Sequence, residues 1–123
     1  MEYPKEKAAL LAKIAFMGLW DGCAPQSEII FKALCAARPV SPAPLLGLAM
    51  CMAHRGEYGK GAAFIEQQVL PRFAQDVHAQ AWLGMLLCRD NQTARGQAVL
   101  RTLLRGHPPD DVRALAEQCL NQL

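Results

Sequence analysis

Apolar positions along this chain recur at intervals of three and four rather than two. Near the N-terminus Leu10, Ile14 and Met17 fall at that spacing, with Leu11, Ala15 and Gly18 beside them, the pattern of a helix face. Asp21 and Gly22 end the stretch. Pro25 and Ser27 allow a second start, followed by Glu28, Ile29, Ile30, Phe31, Leu34 and Cys35. Pro39, Pro42 and Pro44 close that helix and open a third, which runs through Leu45, Leu48 and Met52 to Arg55. Gly56 breaks it. A fourth helix is predicted from about Tyr58 to Leu70, stopped by Pro71, a fifth from Val77 to Arg89 and a sixth from Ala94 to Arg105. Pro108 and Pro109 precede a last helix with Asp110 as its N-cap. Its Val112, Leu115, Ala116, Cys119, Leu120 and Leu123 make one apolar stripe. No alternating run of Val, Ile and Thr marks a strand, so the pattern predicts an all-α fold.

The stretch HRGEYGKGAAF, residues 54–64, places Gly56, Gly59 and Gly61 within six residues. Each glycine in a helix interior costs roughly 1 kcal/mol against alanine. An internal repeat accounts for two of them. Gly22 and Gly56 are 34 residues apart, as are Leu11 and Leu45, Ser27 and Gly61, and Phe31 and Ile65. From the second unit to the third the interval is 35: Leu48 to Leu83, Ala49 to Gly84, Gly56 to Asn91, Gly61 to Gly96, Ile65 to Leu100. One extra residue between Pro71 and Asp76 accounts for the slip. Pro39 and Pro108 close the first and third units.

A helix-turn-helix unit of about 34 residues is the tetratricopeptide period, with the pattern W-x2-L-G-x2-Y, then A-x3-F, then P. The third unit has Leu83-Gly84-x2-Leu87, Gly96-x3-Leu100 and Pro108. The second has Leu45-x2-Leu48-Ala49-x2-Met52 and Gly61-x3-Ile65. The first has Leu11-x2-Ile14-Ala15-x2-Gly18, Ser27-x3-Phe31 and Pro39. The chain therefore resembles a degenerate tetratricopeptide-like protein, without the large aromatic of the first consensus position. The expectation is an α-solenoid of three helix hairpins, at about residues 5–38, 42–71 and 77–106, and a capping helix at about 110–123, all in one domain. Gly22, Gly56 and Asn91 are predicted to take positive φ at helix ends. Ser27, Gly61 and Gly96 are predicted to let the paired helix approach. Tyr58 is assigned to the gap between hairpins, and Gly59 to the turn alone.

Composition narrows the function. Of 123 residues 52% are hydrophobic and 20% charged, which leaves apolar surface to spare after one core is filled. A net charge of +2 without a basic run argues against nucleic acid. The longest uncharged apolar run, Pro39 to Ala53, is too short for a membrane span and carries three prolines. AALLAKIAFMGLW is interrupted by Lys13 and preceded by Glu2 and Glu6, so it reads as an amphipathic helix rather than a signal sequence, and the expected compartment is the cytoplasm. Cys23, Cys35, Cys51, Cys88 and Cys119 are odd in number and contain no C-x-x-C, as expected of reduced thiols. Cys51 and His54 lie three apart, too few ligands for a metal site. His54, His78 and His107 fall in different units, and no catalytic triad, carboxylate pair or phosphate loop is apparent. No enzyme activity, metal or cofactor is expected.

Stacked hairpins present a concave face lined by the first helix of each. The lining assigned from the repeat is Ala9, Ala12, Phe16, Leu19 and Trp20 from unit one, Ala43, Leu46, Met50, Ala53 and His54 from unit two, and His78, Ala81, Met85, Cys88 and Arg89 from unit three. Within it Phe16, Leu19, Trp20, Leu46, Met50, Ala53, His54, Ala81, Met85 and Cys88 are the expected partner-binding residues. This apolar, methionine-bearing surface suits an amphipathic helix. It lacks the Lys, Asn and Arg carpet of a carboxylate-terminus binder. Alternatively, the same residues are core, covered by the last helix or by self-association.

The stretch EIIFKALCAARPVSPAPLLGLAMCMAHRGEYGKGAAFIE, residues 28–66, resembles the tetratricopeptide-like chaperones of bacterial type III secretion, the needle-subunit branch above all. The likeness extends over about residues 8 to 120. It implies a cytoplasmic chaperone that buries the C-terminal amphipathic helix of a needle subunit and prevents premature polymerisation. It also implies a small helical co-chaperone beside the N-terminal hairpin. The alternative is a generic tetratricopeptide adaptor in another assembly.

Overall fold

The structure, a computed structural model, describes residues 5–37 and 41–122. The expectations placed on Glu2, Pro39 and Leu123 lie outside the described residues. Among the described residues seven α-helices follow in order: α1 (Lys5–Trp20), α2 (Ala24–Ala36), α3 (Ala43–His54), α4 (Tyr58–Phe64), α5 (Val77–Arg89), α6 (Thr93–Arg105) and α7 (Asp110–Asn121). No strand occurs among the described residues. Helices α1 and α2, α3 and α4, and α5 and α6 form three hairpins. Each hairpin packs on the next, and α7 lies against both α5 and α6. This is an all-α stack of hairpins with a capping helix.

Each turn is built the same way. Gly22 (φ 84), Gly56 (φ 78) and Asn91 (φ 65) take the left-handed conformation after α1, α3 and α5. In each case the next residue's N–H reaches five residues back: Cys23 to the Gly18 carbonyl at 2.7 Å, Glu57 to Met52 at 2.9 Å and Gln92 to Leu87 at 2.9 Å. This bond defines the Schellman helix ending. Its recurrence at the 34- and 35-residue intervals makes the repeat a geometric one. After α6 the left-handed residue is His107 (φ 53), not Gly106. Its N–H bonds the Leu104 carbonyl at 3.2 Å. The residue after it is Pro108, which has no N–H with which to complete the motif.

Small residues sit where helices cross. A methyl on Gly61 would meet the Ala49 carbonyl at 3.1 Å, and one on Gly96 would meet the Gly84 carbonyl at 2.8 Å. These are matching crossings in units two and three. Ser27, at the corresponding place in unit one, is buried against Gly18. Gly47 leaves room for the Phe31 ring, which is fully buried between the first two hairpins. Beside Gly59 only the end of the Asp90 side chain comes close, its carboxylate 2.8 Å from where a methyl would sit.

Two expectations about helix ends are corrected. Asp110 is the first residue of α7, and Pro109 holds the cap position; the extended backbone of Pro109 (φ -55, ψ 158) suits a residue before the first turn. The fourth helix does extend past Phe64, but residues Ile65–Val69 form a π-helical turn. The Leu70 N–H bonds the Ile65 carbonyl at 2.9 Å, and Pro71 follows. Asp76 caps α5, its carboxylate accepting from the Ala79 N–H at 2.8 Å.

Candidate functional site: an apolar groove on the first helices of the hairpins

Helices α1, α3 and α5 bring two hollows together. The larger, about 450 Å3, is lined by Phe16, Trp20, Pro42, Ala43, Leu46, Asp76, His78 and Trp82. The second, about 350 Å3, is lined by Trp20, Met50, Ala53, His54, Tyr58, Met85, Leu86 and Arg89. Trp20 belongs to both and is 78% exposed, so the two read as one groove divided by an indole. Leu46 and Met50 form a buried floor, while Phe16, Trp82 and Met85 are half-buried. The Phe16 ring packs edge-on against Phe31 at 4.8 Å and against Trp82 at 5.9 Å. These contacts hold the wall of the larger hollow in place.

Polar groups stand on the rim. His54 lies 6.0 Å from the Trp20 ring. The Arg89 guanidinium sits 5.9 Å from the centre of the Tyr58 ring, which places Tyr58 on the groove as well as between hairpins. At the other end the His78 Nε2 lies 3.2 Å from an Asp111 carboxylate oxygen. That hydrogen bond, helped by the Val112 N–H, holds the Asp111 carboxyl below the ordinary aspartate range. Burial pushes the Cys35 and Cys51 thiols up to about 11 and raises those of Cys88 and Cys119. Those four sulfurs are therefore protonated and weakly nucleophilic at neutral pH.

Of the expected partner-binding residues, Phe16, Trp20, Leu46, Met50, Ala53, His54 and Met85 line the groove. Leu19, Ala81 and Cys88 do not. Leu19 is buried in the core shared by the first hairpins. Ala81 is fully buried with Leu100, Leu103, Val112 and Ala116. Cys88 turns its sulfur toward Gly96 of α6. The cause is register: on α5 the groove stripe is His78, Trp82, Met85 and Arg89, and positions 81 and 88 lie beside it, facing α6 and α7. Sequence reasoning missed Trp82, although it lies four residues after His78 and three before Met85, the helical spacing that would have found it.

No helix among the described residues is long and apolar enough to cross a membrane. Compared with known proteins, the chain matches no family model, no curated protein and no solved structure.

Proposed function

We propose that the groove holds an amphipathic helix of a partner protein, and that the chain is a cytoplasmic chaperone of a type III secretion needle subunit. The observation that carries the first half is the groove itself. It is an open apolar channel edged by Trp20 and Trp82, with Met50 and Met85 in its surface. Flexible thioethers and amphipathic indoles adapt to the apolar face of a bound helix. The second half rests on the resemblance of residues 28–66, which also brings the expectation of a co-chaperone at the N-terminal hairpin. A polymerising subunit whose helix lies in the groove has no free face with which to join its copies.

A photo-crosslinker in place of Met85, on the α5 side of the groove, tests the reading in the native bacterium. An adduct to a small self-polymerising protein through its C-terminal helix supports the chaperone. An adduct to a large folded protein supports the adaptor. Self-linked protein alone overturns both. Trp20→Ala and Met85→Asp are expected to weaken client capture at least about tenfold with unchanged circular dichroism. Met50 is unsuitable for an acidic substitution because it is 9% exposed, and a carboxylate there would disrupt the core.

A further inference from the structure

The largest apolar exposure outside the groove lies on α1. Leu10, Ile14 and Met17 are 58%, 48% and 62% exposed. Spaced four and three apart, they form one stripe, and no described element covers it. The repeat shows what this stripe is. Thirty-four residues on, its counterparts are Pro44, Leu48 and Cys51; a further 35 on, they are Ala79, Leu83 and Leu86. Five of those six are buried and Leu48 is half-buried. In units two and three, then, the stripe lies within the packed stack, and in unit one the same positions are apolar and bare.

We infer that the bare stripe is a homodimer interface, in which α1 packs antiparallel against α1 of a second copy across a two-fold axis near Ile14. Three observations select this occupant. First, α7 already lies on α5 and α6, so copies cannot extend the stack head to tail, and a closed head-to-head pair is the one arrangement of copies that remains; under the chaperone reading this pair is the form without a co-chaperone, which would displace the second copy from the same face. Second, the stripe continues at its ends into Lys7 and Asp21, both exposed. Each is seven residues from Ile14, about 10.5 Å along the axis at 1.5 Å per residue. A two-fold at Ile14 therefore brings Lys7 of each copy to the height of Asp21 of the other. Neither residue takes part in an ion pair among the described residues. Third, the same axis sets Leu10 beside Met17 of the second copy, so the apolar centre is self-complementary. Lys13 flanks the seam and can lay its stem along it with the ammonium in water. Trp20 lies at the border, and the rest of the groove stays open. One 16-residue helix per copy makes an interface at the small end of the specific range, so the dimer dissociates on dilution.

Sedimentation of the full chain over a concentration series tests this. Monomer and dimer should interconvert, with Ile14→Glu raising the dissociation constant at least about thirtyfold at unchanged helicity. Met17→Lys is the second variant should Ile14→Glu fail to fold. Lys7→Asp and Asp21→Lys should each weaken the dimer several-fold, and the double variant should restore it. A native chain that stays monomeric throughout overturns the proposal and leaves the stripe to the co-chaperone expected at this hairpin; a dimer indifferent to Ile14→Glu and Met17→Lys overturns it too. Failure of the double charge reversal to restore pairing overturns the antiparallel arrangement. A dimer lost on Met85→Asp but not on Ile14→Glu would place self-association in the groove and overturn the α1 interface.

Discussion

At the C-terminal end of the stack, α7 sets Val112 and Ala116 against Ala81, Leu100 and Leu103, while Arg113, Glu117 and Gln118 stay exposed. At the N-terminal end α1 buries Ala12, Ala15 and Leu19 but leaves Leu10, Ile14 and Met17 in water. One end of the repeat is covered by a helix polar on its outside, as stacked-repeat arrays require for solubility. The other keeps the apolar stripe that inner units bury. The apolar excess of the composition is thus not spread over the surface. Apart from Ile29 on α2, the exposed large apolar side chains among the described residues lie on α1, as the stripe and as Trp20 in the groove beside it, and contiguous exposed apolar area of this kind marks interaction sites.

Substitution at matched places should make the contrast quantitative. Val112→Asp puts an unpaired carboxylate under α7 and should lower the unfolding free energy by at least about 3 kcal/mol. Ile14→Asp, on the uncovered stripe, should change it by no more than about 1 kcal/mol when measured at a concentration where the chain is monomeric. Urea denaturation of both variants checks this, and comparable losses would mean that α1 is covered in the free chain. Truncation gives a smaller version of the same test. Leu100→Ala empties a fully buried site and should cost about 2–5 kcal/mol. Leu10→Ala should stay within about 0.5 kcal/mol of the native chain.

The repeat was legible because its parts are chemically unambiguous. Gly22, Gly56 and Asn91 are residue types that tolerate positive φ, and they recur at the intervals that fix the hairpins. Gly61 and Gly96 reported a close crossing because a side chain has no room there. What was not legible depended on rotation about a helix axis. Ala81 and Trp82 are neighbours in sequence, yet one packs under α7 and the other walls the groove. An apolar-rich helix such as α5, contacted on several sides, gives no polar face by which to fix that rotation. The same ambiguity hid the bare stripe of α1, since Leu10, Ile14 and Met17 read in sequence as an ordinary core face. His107, which takes positive φ, carries no such sequence signal, being a residue type with a Cβ that resists that conformation.

Thiol chemistry offers a milder contrast between the ends. Cys23 is exposed at the turn after α1, whereas Cys119 of α7 is partly covered and its thiol is pushed up, mainly by burial. Alkylation at pH 7.5 followed by mass spectrometry should label Cys23 first. Cys51, fully buried with its thiol raised to about 11, should label only as the chain unfolds. Early labelling of Cys51 would mean that the first two hairpins open together, which their shared Phe31 packing argues against.

The smallest expected effect bears on how α7 is held. His78 on α5 and Asp111 on α7 are 3.2 Å apart and both exposed, so the pair adds little beside the burial of Val112 and Ala116. Its signature is pH. The folded-state carboxyl lies below the ordinary aspartate range because of the hydrogen bond from His78. The contribution is therefore present above the unfolded-state value, about pH 4, and is lost as pH falls through the folded-state one. Asp111→Asn removes that dependence. Urea midpoints of the two proteins should differ slightly at pH 6 and converge toward pH 2, with the difference shrinking in high salt. The remaining carboxyls titrate in both proteins and cancel in the comparison. Parallel curves would mean that apolar packing alone fixes the cap, leaving His78 free to act on the groove side of α5.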